Sequence, residues 1–296
     1  MGKTDGMLLR SFMFLPAHNT KFIDKALEGD ADAIILDMED AVPLSKKEEA
    51  RAIIVDYSNK GLLNKKRVFI RINHIGTKAF VDDISQLIVP GIYGLMPSKI
   101  MNAGDIVFID KLLSFFEMKN GLKEGQIALA PLIETTDAVN NLSEIAGASD
   151  RLIALCLGAE DYLNDLGSTY IYQESALIVP RAELVNVSRM NGLLPIDTPY
   201  LSVKDIEGFE KDSKQAYKNG FAGRLLLNPK QVDSANKVFL PDDGQVEHAR
   251  KIIAAVEEAN KSGVSGVAML NGAMVGPPML KRARTILKQI ELAGKN

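Results

Sequence analysis

The sequence predicts an α/β protein built on parallel strands, a (β/α)8 barrel with a C-terminal helical extension. Three observations carry that expectation. Eight short apolar runs recur between residues 11 and 228, amphipathic segments separate them, and polar side chains gather where the runs end. Strands that are apolar on both faces and alternate with helices belong to parallel sheets. Eight such units suit a barrel, for which roughly 250 residues is typical. The rival is a doubly wound open sheet, but no G-x-G-x-x-G follows the first run.

In order, the runs are SFMFLP (11–16), AIILDME (33–39), RVFIRIN (67–73), YGLMPSK (93–99), IALAPLIE (127–134), LIALCLG (152–158), LLPIDTP (193–199) and GRLLLN (223–228). Between the first two, TKFIDKALE has helical periodicity, and Asn19 or Thr20 is placed to cap it. After the second, Ser45 and Glu48 stand in capping-box spacing ahead of another helix. The barrel is expected to occupy residues 1–240. Residues 241–296 form the extension: a long helix, a Gly-rich extended piece (GVSGVAMLNGAMVGPP) and a last basic helix, able to pack under the barrel or on a neighbouring subunit. Met269, Met274 and Met279 read as packing residues there.

Composition narrows the function class. Of 296 residues, 46% are hydrophobic and 25% charged, with a net charge of −3, so the chain is foldable and offers no basic face for nucleic acid. Its apolar runs are strand-sized, too short to span a membrane, and the start lacks a signal-peptide pattern. The single cysteine, Cys156, excludes an internal disulfide and reads as a small buried hydrophobe. Together these features suggest a cytoplasmic protein handling small molecules.

Catalytic residues of such barrels project from the C-terminal ends of the strands. Those ends supply Asp37, Glu39, Asp40, Arg71, Asn73, Ser98, Lys99, Glu134, Thr135, Thr136, Glu160, Asp161, Asp197 and Asn228. Two carboxylates ~4 Å apart repel by about 4 kcal/mol at an effective dielectric of 20, or roughly three pKa units. They must share a proton, pair with cations or bind a metal. Glu134 and Asp161 lie on adjacent strands with no basic residue beside them in sequence, which fits a Mg²⁺ site completed by water and substrate oxygens. For any one acid, helix capping or an ion pair is the competing role. Arg71 ends an apolar run, and its planar fork suits a carboxylate or enolate oxygen, or a salt bridge to Asp37 or Glu39. Lys99, at a strand end, could form a Schiff base only with a depressed pKa, and reads rather as an ion-pair partner.

At these residues the chain resembles the CitE-like branch of the HpcH/HpaI aldolase superfamily. The landmarks are RSFMFLP (10–16), DAIILDMEDAV (32–42), RIN (71–73), PLIET (131–135), GAEDY (158–162) and NPKQV (228–232), all in order. The resemblance implies a Mg²⁺-dependent barrel, a homotrimer or hexamer, that breaks or forms a C–C bond next to a CoA thioester. It implies metal binding by Glu134 and Asp161, and contact of Arg71 with substrate and developing enolate. It further implies substrate-carboxylate binding by the N–H groups of Ala159 and Glu160, and a site floor of Asp37, Glu39 and Asp40. One departure stands out: many such lyases carry G-K-M-[VI]-D near the C-terminus, whereas this chain has GAMVGPP, with Gly276 at the aspartate position. The proton then falls to another group, such as Glu39 or a water held by the metal, or the reaction differs. The alternatives are a pyruvate-type aldolase acting on a free oxo acid, and a non-catalytic carboxylate-binding or carrier-protein-dependent lyase subunit.

Overall fold

The computed structural model describes residues 4, 6–168, 174–261 and 267–294. It divides into a large unit, mainly Leu9–Phe239, and a small one, mainly Leu240–Asn296.

The large unit is built on one curled, wholly parallel sheet. Its strands are β1 (Ser11–Pro16), β2 (Ala33–Asp37), β3 (Arg67–Ile72), β4 (Gly94–Pro97), β5 (Ala128–Leu129), β6 (Leu132–Ile133), β7 (Ala154–Leu157), β8 (Leu194–Asp197) and β9 (Gly223–Leu226). The order is β5-β4-β3-β2-β1-β9-β8-β7-β6. Each of the eight runs forms a strand, but the fifth is divided in two. Pro131 has no N–H to give the ladder, and it interrupts the strand. Hydrogen bonds continue on both sides of the break. Ala130 N–H donates to Leu95 O (2.9 Å), while Cys156 N–H donates to Pro131 O (3.0 Å). Leu129 also bridges Leu152 in parallel.

Both faces of the sheet are covered, as continuous apolar runs require. On one, Ile34, Leu36, Val68 and Ile70 join the main core with helix residues such as Ile54, Ile84 and Ile109. On the other, Phe12, Ile35, Phe69 and Cys156 are fully buried, and the Phe12 and Phe69 rings meet edge to face at 4.7 Å. Strand side chains alternate between faces. The alternation that turns Ile35, Phe69 and Leu132 inward therefore also turns Asp37, Arg71 and Glu134 inward, one step further toward the C-terminal ends.

Asn19 caps the first helix, Thr20–Glu28, by accepting from Phe22 N–H. The Ser45–Glu48 capping box does not form. Pro43 starts a 3-10 turn at Leu44–Lys46, so the helix begins at Lys47 behind Lys46, which gives no side-chain cap.

In the small unit, the helices Asp243–Lys261 and Pro277–Leu292 flank an antiparallel hairpin, β10 (Ala268–Leu270) and β11 (Ala273–Val275). The extension is thus not purely helical. Asn271 and Gly272 both have positive φ (50° and 79°), the two-residue turn that matches strand twist. Met269 and Met274 face each other across this hairpin and are largely exposed, so they are not core residues of this chain; Met279 does pack against the small core. Gly276 precedes the last helix.

Candidate active site

A cavity of about 480 Å³ opens at the C-terminal ends of the large unit's strands, and its lining includes Phe14, Asp37, Arg71, Glu134, Asp161 and Thr198. Asp40, Ala159 and Glu160 also reach it.

Arg71 is held rigidly. Asp37 and Arg71 are direct neighbours in the β2–β3 register, so the guanidinium forks onto the carboxylate through Nε–Oδ1 (2.8 Å) and Nη2–Oδ2 (2.5 Å). Asp37 also accepts from the N–H groups of Glu39 (2.8 Å) and Ala41 (3.2 Å), which shapes the loop after β2. The Phe14 ring lies 5.0 Å from the guanidinium carbon. The third nitrogen, Nη1, is left toward Glu39 Oε2 (3.1 Å) and Asp40 Oδ2 (3.7 Å). Burial works against the Arg71 charge, but hydrogen bonds to Asp37 and the charges of Asp37, Glu39 and Asp40 outweigh it and raise its pKa.

Glu39 is clasped between two cations. Its Oε1 accepts from Lys99 Nζ at 3.1 Å, so Lys99 is an ion-pair partner as its sequence context suggests. Its Oε2 lies near Arg71 yet receives no hydrogen bond in proper geometry. The backbone beneath is anchored by Lys47, whose Nζ donates to Met38 O (2.6 Å), Glu39 O (2.9 Å) and Asn73 Oδ1 (2.7 Å).

Glu134 has a different environment. It is 2% exposed, and its Oε1 accepts from the Lys99 backbone N–H at 2.6 Å. Burial pushes its carboxyl up to about 8; the Lys99 N–H opposes the shift, and the charges of Glu39 and Asp161 add to it. Among the described residues, neither Glu134 nor Asp161 has an ion pair, whereas Asp37 and Glu39 are matched by Arg71 and Lys99. Two unmatched carboxylates on one cavity suit a hard divalent cation that takes its remaining oxygens from water and ligand. Among the described residues no cluster of three or more His, Cys, Asp or Glu offers a denser metal site.

The other rim residues serve the scaffold. Asn73 bonds Asp83 and Met38 O, and Ser98 donates to Ile72 O. Thr135 caps a short helix, and Thr136 donates to Asp165. Asp197 is gripped by Arg181 at 3.0 Å and lies 3.5 Å from Arg224. Asn228 forms a capping box with Gln231. The Ala159 N–H donates to Thr198 Oγ1 (3.1 Å), so that donor is already engaged. Thr198 and the Lys99 main chain are site elements absent from the sequence reading. Thr198 could have been found as the residue after the Asp197 strand end; no local signal marks the backbone role of Lys99.

Residues 10–229 match the HpcH/HpaI aldolase/citrate lyase family. Citrate lyase subunit beta of Leuconostoc mesenteroides subsp. cremoris is 32% identical over 281 residues, which span 95% of this chain and 93% of that one. The L-malyl-CoA/beta-methylmalyl-CoA lyase of Rhodobacter capsulatus is 32% identical over 306 residues, covering 97% and 96%. Among solved structures, CitE from Mycobacterium tuberculosis in complex with magnesium, acetoacetate and coenzyme A superposes with a TM-score of 0.78 at 25% identity, over 98% of this chain and all of that one. With the fold, the strand-end acids and these relatives in agreement, the chain belongs to the HpcH/HpaI aldolase/citrate lyase family.

Proposed function

We propose that this chain is a Mg²⁺-dependent carbon–carbon lyase. Its substrate would be a short 3-hydroxyacyl-CoA thioester of a dicarboxylic acid, cleaved to (or formed from) an acyl-CoA and an oxo acid. The observation that carries this reading is the pair of unmatched carboxylates, Glu134 and Asp161, on the cavity that also holds the charged Arg71. Relatives named as malyl-CoA lyase and citrate lyase beta, and a CitE structure holding magnesium and coenzyme A, support it.

Glu134 and Asp161 would hold the cation, which when bound polarises a substrate oxygen as a Lewis acid. Arg71 acts without reorganising. Its fork is fixed on Asp37, so Nη1 is already in place for negative charge that develops on the enolate oxygen. Cleavage requires the 3-hydroxyl proton to leave, the C2–C3 bonding pair to pass into the thioester enolate, and a proton to be delivered to C2. Glu39 is our choice for the proton carrier, since its Oε2 carries no hydrogen bond. Asp40 completes the floor with Asp37. The Glu160 N–H, with Ala159 acting through the Thr198 hydroxyl, would orient the substrate carboxylate.

The finer architecture we infer is a closed (β/α)8 barrel over 1–240, with β5 and β6 counted as one strand broken at Pro131, and an extension over 241–296. Bonding on both sides of 128–133 supports closure. We read the chain as cytoplasmic and as a homotrimer or hexamer, to be tested by fractionation and solution mass. Among the described residues no helix is long and apolar enough to cross a membrane.

Gly276 favours a second reading, a pyruvate-type aldolase on a free oxo acid or a carrier-dependent subunit, because the family aspartate is missing there. Thermal shift separates the readings. Pyruvate, glyoxylate and oxaloacetate should stabilise the wild type only with Mg²⁺, and not stabilise the Glu134→Ala/Asp161→Ala double variant. A further shift with acetyl-CoA supports the thioester lyase, and its absence favours the free-acid aldolase. No Mg²⁺-dependent shift with any ligand refutes the metal site.

A further inference from the structure

We propose that Glu134 is seated for its cation by two main-chain devices, the left-handed turn at Lys99 and the bare Cα of Gly158. This inference rests on the Mg²⁺ reading above and adds how the ligand is aimed. Lys99 has φ +52°; among the described residues only Asn271 shares a positive φ without being glycine. A side chain in that region is disfavoured, and such strain persists only where the surroundings impose it. Here they do. Pro97 is registered against Ile72 in the β3–β4 ladder, and buried Ser98 is tied by its hydroxyl to Ile72 O at 3.1 Å. The chain must then turn sharply, and the turn delivers the Lys99 N–H to Glu134 Oε1 at 2.6 Å.

Gly158 closes the other side. A Cβ there would lie 2.6 Å from Glu134 Cβ and 2.7 Å from Oε2, closer than atoms can approach. The Gly158 N–H donates to Ile133 O at 3.0 Å, which fixes this backbone beside Glu134. One carboxylate oxygen is therefore held by a donor and the other stands against a backbone with no side chain. The Lys99 ammonium takes no part, because it is engaged by Glu39. Lys99 is accordingly a positioning residue through its backbone.

Lys99→Gly and Lys99→Val both remove the ammonium, but only the β-branched valine resists positive φ. Mg²⁺ would be titrated by calorimetry into the wild type, both variants and Gly158→Ala, with circular dichroism melts to verify folding. Lys99→Gly is expected to keep the wild-type Kd within about threefold, and Lys99→Val and Gly158→Ala to weaken it about 10- to 100-fold, as lost outer-shell support does. Lys99→Asn, which tolerates the left-handed region, should behave like Lys99→Gly. If Lys99→Val fails to fold, Lys99→Asn and Gly158→Ala still decide: retention in the first and loss in the second supports the proposal. Equal Kd values for Lys99→Gly, Lys99→Val and Gly158→Ala would overturn it, as would a loss in Lys99→Gly and Lys99→Asn as large as in Lys99→Val. A wild type that takes up no Mg²⁺ overturns the metal reading and this inference together; wild-type binding with no difference among the variants overturns this inference alone.

Discussion

Replacing Glu134 with glutamine should remove a specific pH dependence of folding. The Glu134 carboxyl moves from its ordinary 4.5 to about 8 in the fold, chiefly through burial. Its folded pKa is thus raised, so between these values the native state keeps a proton that the unfolded chain has released. Stability then falls as pH rises through this window, with a slope of about 1.4 kcal/mol per pH unit for one proton. From 4.5 to pH 7 the loss attributable to this group is about 3 kcal/mol. The loss stops growing once pH exceeds about 8, where both states are ionised. The assay is urea unfolding in EDTA at intervals from pH 5 to 8, comparing wild type with Glu134→Gln. The variant should lose less stability across the interval, and the difference should approach the figure above. Saturating Mg²⁺ should flatten the wild-type curve, since a cation takes over the proton's role. Parallel curves for the two proteins in EDTA would refute the reasoning, because no other group differs between them.

Three further outcomes are expected. Arg71→Met strands the Asp37 carboxylate in the interior with only two N–H donors, so stability should fall by about 3–5 kcal/mol, read from urea midpoints at neutral pH. A change below about 1 kcal/mol would mean that the fork contributes little beyond an exposed ion pair. Asp83→Ala, at a fully buried site, leaves the Arg51 guanidinium without its Nε partner and Asn73 without an acceptor for two donors, and should cost a similar 3–5 kcal/mol or so. Cys156 is fully buried within β7, and burial raises its thiol pKa, so its labelling by a thiol reagent should follow global unfolding and leave activity intact until then; rapid labelling of the native protein would contradict that placement.

Much of the scaffold was legible because both faces of the sheet are buried, so each strand writes a continuous apolar run. The division of the fifth strand went unread, although Pro131 stands inside IALAPLIE and cannot donate to a ladder. The hairpin in the small unit was signalled by Asn271–Gly272 between AML and AMV, but the surrounding glycines made the stretch read as merely extended. Period-two alternation was enough to bring Asp37, Arg71 and Glu134 to one cavity. It could not sort rim residues by partner: Asp197 is occupied by Arg181, which arrives from the preceding helix, and Thr136 by Asp165. Nor could it foresee the Lys99 main chain meeting Glu134, because a left-handed lysine follows from the packing around Ser98 and not from any local pattern.

The most direct test is turnover. Purified wild type and the Glu134→Ala/Asp161→Ala variant would be given malyl-CoA and citramalyl-CoA, with Mg²⁺ or EDTA, and the released oxo acid trapped as its hydrazone. Oxo acid is expected only from the wild type with Mg²⁺, accompanied by an equal amount of acyl-CoA. Release in EDTA, or undiminished release by the double variant, would contradict the lyase reading.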